Sequence, residues 1–196
     1  MAESNKTRFA VIGCGHIGRR HMEVLNDGDA FDLVAVCDAD PEVSASVQEG
    51  IPFYSSVDEL LMHGPDFEVG SIATPNSFHE KHATTLLNGG KHVVIEKPMA
   101  LTKRGCQRII TEAEKNRRQV FCLLQLKFSP VAKWLKQLVE DGRLGKLYFV
   151  QVNCFWNRDE RYYSKRSWHG TRAMDGGTLF TQFSHYIDLL YWLFGD

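Results

Sequence analysis

Three glycines at fixed spacing are the first feature of the sequence with a chemical meaning. Gly13, Gly15 and Gly18 form the pattern GxGxxG between an apolar run and an amphipathic stretch. In this pattern the first glycine permits a tight turn, the second lets a pyrophosphate approach the backbone, and the third lets a helix pack closely on a strand. The following helix N-terminus would offer N–H groups to the phosphate. The pattern alone is weak, because a loop can contain three glycines for other reasons.

A carboxylate further along the chain favours the first interpretation. Asp38 ends the next apolar run, 20 positions after Gly18, where such a residue accepts hydrogen bonds from the ribose hydroxyls of a dinucleotide. Ala39 and Asp40 follow, without an arginine or lysine. A 2′-phosphate would face two negative groups here, so the sequence predicts NAD rather than NADP as the cofactor.

Two further strand ends combine polar and charged residues. One is the segment Ala73–Asn76, with His79 shortly after it, and the other contains Glu96, Lys97 and Pro98. Ligands of parallel sheets bind beyond the carboxyl ends of the strands. Lys97 could hydrogen-bond a substrate hydroxyl there, or it could form a surface ion pair with Glu96 that contributes little to stability. The residues alone leave the two interpretations about even.

Three polar residues lie within the last apolar stretch of the chain. Thr181, His185 and Asp188 have i, i+4, i+7 spacing, which places them on one face of a helix. His185 could act as a general base, since histidine titrates near neutral pH. It could equally be a core histidine that a neighbouring group satisfies, and for an isolated helix the sequence favours that interpretation.

A loop rich in arginine and aromatic residues precedes this helix. It contains the cations Arg158, Arg161, Lys165, Arg166 and Arg172 and the aromatic residues Trp156, Tyr162, Tyr163 and Trp168. Arginine matches phosphate geometry bidentately, and the aromatic rings could stack on a base or sugar. The alternative is a solvated loop, partly neutralised by Asp159 and Glu160.

Composition limits the classes of function. Of the 196 residues, 43% are hydrophobic and 24% charged, as in ordinary globular proteins, and the net charge of −1 gives no general attraction to nucleic acid or anionic membranes.

The five cysteines are odd in number and lack CxxC spacing, which indicates a reducing compartment. With no apolar signal core at the start and no apolar run of membrane-spanning length, a cytoplasmic protein is expected. His79 and His82 lack a third ligand within sequence reach, so no metal is expected.

The elements that must position these groups alternate along the first part of the chain. Strands are predicted at 8–12, 33–37, 53–54, 69–73, 92–95 and 119–124, and helices at 16–26, 41–49, 57–62, 77–88 (with Ser77 as its cap) and 102–117. This alternation predicts an α/β fold with a parallel sheet covered by helices on both faces. The strands are continuous apolar runs, as burial on both faces requires.

The pattern changes after Leu124. A helix is predicted around Val131–Val139, a long strand over Leu147–Trp156 and a final helix over Gly176–Phe194. One strand cannot form a sheet alone, so we expect it to pair with another chain or with strands that lie outside this sequence. The predicted organisation is a Rossmann domain over residues 1–124 and the start of an α/β substrate and oligomerisation domain, expected to be incomplete, over 125–196.

Four motifs together resemble the Gfo/Idh/MocA family of NAD(P)-dependent sugar oxidoreductases. They are GCGHIG at 13–18, ATPNSFH at 73–79, EKP at 96–98 and GGTLFTQFSHYID at 176–188. The resemblance implies a Rossmann domain followed by an α/β domain with an open sheet, and it implies that Lys97 and His185 act in hydride transfer. The cofactor contacts expected from the glycine pattern and the resemblance are Gly13, Gly15, His16, Ile17, Gly18, Asp38, Thr74, Pro75, Asn76, His79, Glu96, Lys97, Gln125 and Trp168. The expected substrate contacts are Lys97, Lys127, Arg158, Arg161, Arg166, Thr181, Gln182 and His185.

Two segments narrow the resemblance. LQLKFSP at 124–130 and WHGT at 168–171 resemble UDP-N-acetylglucosamine-type 3-dehydrogenases of surface-polysaccharide biosynthesis, such as lipopolysaccharide O-antigen. This implies oxidation of the C3 hydroxyl of a UDP-amino sugar or its uronate by a homo-oligomer. Thr181 departs from the family's frequent aspartate and Lys127 from its common arginine. The alternatives are a dehydrogenase of a free sugar or polyol, of the inositol type, and a non-catalytic NAD-binding module.

Overall fold

The apolar runs of the first part of the chain form six strands of one parallel sheet in a computed structural model that describes residues 6–164 and 168–195. The strands are β1 (Thr7–Ile12), β2 (Phe31–Cys37), β3 (Phe53–Tyr54), β4 (Val69–Ile72), β5 (His92–Glu96) and β6 (Val120–Leu123). Their order across the sheet is β3-β2-β1-β4-β5-β6. The chain divides into two compact units, residues 1–123 and 124–196, and the sheet belongs to the first.

The strand order has a functional consequence. Successive strands run outward from β1 to β3 on one side, and the chain then returns to place β4 on the other side of β1. At such a reversal the connections leave in opposite directions, and a crevice opens beyond the carboxyl ends of the strands. The predicted α/β class and its parallel sheet are therefore confirmed, with the binding crevice expected at β1 and β4.

Helices fill the connections between the strands. They are α1 (His16–Asp27), α2 (Val57–His63), α3 (His79–Asn88) and α4 (Lys103–Lys115). The neighbouring β1 residues Val11 and Ile12 belong to two different clusters of buried side chains, one containing Met22 of α1 and the other containing Leu86 of α3 and Ile109 of α4. Alternate residues of a strand point to opposite faces, so both faces of the sheet are buried.

Two predicted helices of this unit differ in the structure. The helix expected over 41–49 is a shorter 3-10 helix, Pro41–Ser46, in which the Asp40 side chain accepts from the Glu42 N–H. Ser77 does not cap α3; a 3-10 turn over Asn76–Phe78 precedes that helix instead. In both places, hydrogen bonds to the residues just before the helix favour a 3-10 turn over an α-helical one. The spacing of apolar residues in the sequence does not distinguish the two kinds of turn.

The second unit is helical in the structure. It contains a 3-10 turn (Gln125–Phe128) and the helices α5 (Pro130–Glu140), α6 (Glu160–Ser164), α7 (Thr178–Thr181) and α8 (Ser184–Phe194). The strand predicted over Leu147–Trp156 is wrong for the described residues, since no strand is formed there and most of these residues are exposed. A strand is defined by its hydrogen bonds to a neighbour, and no described residue pairs with this segment.

The single helix predicted over Gly176–Phe194 is also wrong, because it breaks at Gln182 and Phe183. The Thr181 hydroxyl donates to the Gly177 carbonyl, and the Phe183 N–H donates to the Thr178 carbonyl five residues earlier, which widens the turn. Thr181 and His185 therefore lie on separate helices. Within the described residues, no helix has the length and apolar character needed to cross a membrane.

We predict that Gly18→Ala destabilises the first unit. An alanine Cβ at Gly18 would lie 1.8 Å from the Gly13 carbonyl oxygen, and that backbone atom cannot move without displacing the turn. Overpacking of this kind costs about 1–3 kcal/mol, and we expect a loss of about 2 kcal/mol in the free energy of unfolding measured with urea.

Gly105→Ala in α4 is the matched control. Its Cβ would meet the Glu80 carboxylate, the far end of a flexible side chain, and would lie 3.0 Å from the Ala100 Cβ. The helix propensity of alanine, about 1 kcal/mol more favourable than that of glycine, offsets this crowding. We expect a change below about 1 kcal/mol. Equal stability of Gly18→Ala and the unsubstituted protein would contradict the close packing of α1 on the turn.

Candidate cofactor site and catalytic residues

The glycine turn joins β1 to α1 and leaves the helix N-terminus uncapped. Gly13 has a φ of +88°, in the left-handed region that favours glycine. A Cβ there would lie 2.7 Å from the Thr74 backbone nitrogen, so the turn packs directly on the loop that follows β4. Gly15 is the residue before α1 and provides no side-chain cap. The backbone N–H groups of the first helical turn therefore remain available to an anion.

Asp38 lies beside this turn at the end of β2. Its carboxylate accepts from the Cys14 N–H at 2.7 Å and from the Asp40 N–H at 2.9 Å, and it is partly exposed. A carboxylate has acceptor capacity beyond these two bonds, so oxygen lone pairs remain for ribose hydroxyls. The two backbone donors fix the position of the carboxylate before any ligand binds.

Two buried cysteines, Cys14 and Cys37, lie next to the glycine turn. The Gly13 N–H donates to the Cys37 carbonyl at 2.8 Å. Burial, together with the nearby Asp38 carboxylate, raises the pKa of each thiol to about 12. Both side chains thus remain neutral at physiological pH and act as small apolar residues.

The loops after β4 and β5 are joined by His79. This ring is completely buried; Nδ1 lies 2.7 Å from the Pro98 carbonyl and Nε2 lies 2.9 Å from the Thr74 carbonyl. Burial lowers the pKa of His79 in spite of these two acceptors. In the neutral ring only one nitrogen carries a hydrogen, so His79 donates to one of the two carbonyls and packs against the other. The ring links the two loops and has no exposed atom to offer a ligand, so any contribution to cofactor binding would come through those loops.

A second histidine supports the β4 loop. His82 Nδ1 lies 3.1 Å from the Thr74 hydroxyl, and the ring stacks on Phe78. Burial lowers the pKa of His82 to about 4, so the ring is neutral at pH 7. Within the described part of the chain, no three His, Cys, Asp or Glu side chains are grouped to hold a metal ion.

Glu96 and Lys97 occupy the end of β5. Burial raises the pKa of Glu96, but the hydrogen bond and electrostatic attraction from His21 and the charge of Lys97 outweigh it, and the net shift is downward. One carboxylate oxygen lies 3.1 Å from His21 Nε2, and the other accepts from the Lys97 N–H at 3.3 Å. Glu96 is therefore ionised and bonded within the unit, while Lys97 is partly exposed at the strand end.

The residues of the first unit fit a dinucleotide. The glycine turn, Asp38, the Thr74 loop and Lys97 all follow carboxyl ends of parallel strands, on either side of the reversal at β1. His16 and Ile17 are exposed on the first turn of α1, whereas Asn76 is buried. Gly13 lies too close to the Thr74 backbone to carry a side chain. The turn therefore has no side chain at this position that would exclude a pyrophosphate.

The second unit contains a cavity of about 690 Å³. Arg158, Tyr162, His169, Thr181 and Gln182 are among its lining residues. The Tyr162 ring stacks on the His169 ring at 4.6 Å, and Gln182 Nε2 donates to the Tyr162 hydroxyl at 3.4 Å. The cavity thus has one aromatic wall and one polar wall, and burial raises the pKa of Tyr162.

The basic residues predicted to bind substrate differ in their contacts within the protein. The Arg158 guanidinium lies between the Trp156 and Tyr162 rings, 4.0 and 4.4 Å from their centroids, and its Nε atom is buried without a hydrogen-bond partner among the described residues. Arg161 instead pairs with Asp159 at the surface, with Nε 2.8 Å from the carboxylate. Lys127 pairs with Asp188 at 3.2 Å. Arg166 lies outside the described residues.

The remaining predicted residues also lie in the second unit. His185 is partly buried in the first turn of α8, and Thr181 is buried at the end of α7. Gln125 is exposed at the start of the 3-10 turn, and Trp168 packs edge-on against His169. Their assignments to cofactor or substrate stay predictions.

Sequence reasoning missed His21 and the stacking of the His169 ring on Tyr162. His21 lies three residues after Gly18 and four before Leu25, and both of those residues are buried in α1. A histidine on the apolar face of a helix needs a hydrogen-bond partner. The position of His21 in the sequence therefore indicated that it bonds to another element. No comparable periodic signal marks Tyr162 or His169, because they lie in irregular structure or a one-turn helix.

Comparison with known families agrees with this geometry. Residues 7–123 match the model described as oxidoreductase family, NAD-binding Rossmann fold, and residues 132–196 match the GFO/IDH/MocA C-terminal domain. The chain belongs to the Gfo/Idh/MocA oxidoreductase family. Its first unit is the family's NAD-binding Rossmann domain.

Individual relatives differ in what they act on. The chain is 30% identical over 185 residues to 1-carboxy-3-chloro-3,4-dihydroxycyclohexa-1,5-diene dehydrogenase of Comamonas testosteroni, covering 93% of this chain and 46% of that protein. It is 30% identical over 202 residues to inositol 2-dehydrogenase/D-chiro-inositol 3-dehydrogenase of Lactiplantibacillus plantarum, covering 100% and 55%. The chain spans about half the length of these Gfo/Idh/MocA relatives.

A solved structure is also similar. It is the WlbA dehydrogenase from Bordetella pertussis in complex with NADH and UDP-GlcNAcA, with 35% identity and a TM-score of 0.93 over 97% of this chain and 59% of that one.

We predict that Asp38→Ala weakens NAD binding about 10- to 100-fold. The substitution removes an acceptor for ribose hydroxyls and the two bonds that hold the turn, and hydrogen bonds to charged groups contribute about 1.5–3 kcal/mol. The dissociation constants of NAD and NADP, measured by calorimetry, should approach each other because the negative charge that opposes a 2′-phosphate is gone.

Asp32→Ala is the matched control, since Asp32 is exposed near the opposite end of the same strand. We expect it to leave the NAD affinity within threefold of the unsubstituted protein. An unchanged NAD affinity in Asp38→Ala would contradict the assignment of Asp38 to the ribose.

Proposed function

We propose that the protein is an NAD-dependent dehydrogenase that oxidises the C3 hydroxyl of a UDP-N-acetyl amino sugar or of its uronate. The observation that carries the proposal is one sheet edge on which a glycine turn and Asp38 fit a dinucleotide and Lys97 follows the end of β5. The similar Bordetella pertussis protein, solved with NADH and UDP-GlcNAcA, supports this substrate class.

The reaction requires removal of a hydride and a proton from one alcohol. Bound NAD would accept the hydride from the carbon, which leaves a keto group. Lys97 would hold the hydroxyl oxygen by a hydrogen bond and favour loss of its proton, and His185 would take that proton as general base. Thr181 replaces the family's frequent aspartate, so this chain offers no carboxylate at that position to relay the proton.

The cavity of the second unit supports an anionic substrate. The Arg158 guanidinium packs against the Trp156 and Tyr162 rings, and its buried Nε–H has no acceptor among the described residues. A buried donor without an acceptor costs free energy, and a diphosphate or carboxylate oxygen would supply one. Both groups occur in a UDP-sugar uronate.

Other functions remain testable alternatives. The similarity to the Lactiplantibacillus plantarum inositol dehydrogenase favours a free polyol as the second candidate substrate. A module that binds NAD without turnover is the third. We also propose a homo-oligomer, a role in surface-polysaccharide biosynthesis and, because the five cysteines are free thiols, a cytoplasmic location.

We predict that NAD and UDP-N-acetylglucosaminuronate together give an NADH absorbance. Lys97→Met should reduce kcat at least about 100-fold, because loss of one preorganised donor or acid–base group costs about this much. The NAD affinity should fall far less than kcat, because Lys97 is only one of the expected cofactor contacts. Steady-state absorbance and calorimetry measure the two quantities.

Lys103→Met, at the exposed first position of α4, should keep full activity. Turnover of myo-inositol but of no UDP-sugar would move the assignment to the polyol class. NAD binding with no turnover of either substrate would favour the binding module.

We predict that Arg158→Gln raises the KM for the UDP-sugar about 10- to 100-fold and leaves the NAD affinity unaffected, because it removes the partly buried cation from the cavity. Arg161→Gln is the matched control. Its guanidinium side chain is 87% exposed and already paired with Asp159, so we expect a KM within threefold. Equal effects of the two substitutions on KM would contradict a specific role for Arg158.

A further inference from the structure

Three side chains from three elements meet behind the Lys97 turn. His21 of α1 lies with Nδ1 2.8 Å from the Ser71 hydroxyl of β4 and Nε2 3.1 Å from a Glu96 oxygen at the end of β5. The His21 and Glu96 side chains are only 13% and 18% exposed, and Ser71 is buried. The contact therefore bridges the helix of the glycine turn to the strand that ends at Lys97.

The direction of these hydrogen bonds follows from the chemistry of Glu96. Its pKa is lowered, so the carboxylate is ionised and can only accept. His21 Nε2 must then carry a hydrogen, and in the neutral ring the Ser71 hydroxyl donates to Nδ1. Both ring nitrogens are thereby used, which fixes the plane of the imidazole and, through it, the Glu96 carboxylate.

The second oxygen of Glu96 connects this arrangement to the lysine. It accepts from the Lys97 N–H at 3.3 Å, which is long for such a bond. The hydrogen bond between His21 and the first oxygen limits how far the carboxylate can turn away from that N–H. The path from α1 to the backbone of Lys97 thus consists of two hydrogen bonds to one carboxylate.

We propose that His21 and Glu96 act as positioning residues that hold the Lys97 turn in register with the cofactor helix. The inference rests on the proposed function, in which Lys97 contacts the substrate hydroxyl. A lysine on a loosened turn would still bind substrate but would point less often at the reacting oxygen, so the pair affects turnover more than binding.

The experiment is a double-mutant cycle with His21→Gln and Glu96→Gln in the NAD-bound protein. Each single substitution should lower kcat about 10- to 100-fold, with KM for the UDP-sugar within threefold. In His21→Gln, which changes no expected cofactor contact, Kd for NAD should also stay within threefold. The double substitution should lower kcat no more than the worse single one, because both act through one carboxylate. Unchanged kcat in Glu96→Gln, or losses that multiply in the double variant, overturns the proposal.

Two controls exclude a general structural effect. Glu23→Gln and His63→Gln replace the same residue types at exposed positions of α1 and α2, and both should leave kcat unchanged. Ser71→Ala is a milder variant that removes only the bond to Nδ1, and it should lower kcat about threefold in a fully folded protein. No loss in Ser71→Ala, together with unfolding of the His21 and Glu96 variants, also overturns the proposal.

Amide hydrogen exchange separates this inference from the proposed function, since it needs neither cofactor nor substrate. In the cofactor-free protein, the Lys97 amide should exchange at least about 10-fold faster in His21→Gln and Glu96→Gln than in Glu23→Gln. Unchanged exchange refutes the positioning role even if the UDP-sugar is oxidised. Faster exchange in a protein that oxidises no UDP-sugar supports the positioning role and refutes only the proposed function.

Discussion

The backbone contact between the glycine turn and the end of β4 is the constraint on which the rest of the site depends. Gly13 lies against the Thr74 backbone and Gly18 lies against the Gly13 carbonyl, each too closely to admit a Cβ. These contacts set the distance of α1 from the sheet and the position of its uncapped N-terminus. Asp38 then accepts from the turn itself, through the Cys14 N–H. The absence of two side chains thus places an uncapped helix N-terminus beside a fixed carboxylate, as the proposed pyrophosphate and ribose contacts require.

The same turn is linked to the chemistry at the end of β5. His21 on α1 reaches Glu96, and His79 joins the Thr74 and Pro98 carbonyls. Both histidines are largely or fully buried, where hydrogen bonds are less exposed to competition from water. Lys97 therefore follows a strand end that is held from two directions. Preorganisation of this kind is the usual source of catalytic power in a polar site, and it is consistent with the proposed role of the lysine.

The fold of the first unit was predictable because each signal was local. The apolar runs, the glycine spacing and Asp38 lie within short segments, and burial on both faces makes the strands continuous apolar runs. The second unit was less predictable, because a strand at Leu147–Trp156 depends on a partner and the wide turn at Phe183 depends on one hydroxyl bond. His21 was missed for a related reason. Its partners Ser71 and Glu96 are 50 and 75 residues away along the chain.

A crystal structure of the protein with bound NAD tests the central claim most directly. The account predicts a pyrophosphate over the Gly13–Gly18 turn within hydrogen-bond distance of the first N–H groups of α1. It also predicts adenosine ribose hydroxyls on the Asp38 carboxylate and the nicotinamide beside the Lys97 turn. A ribose bound away from Asp38, or a nicotinamide directed toward β3 instead of β5, would contradict it.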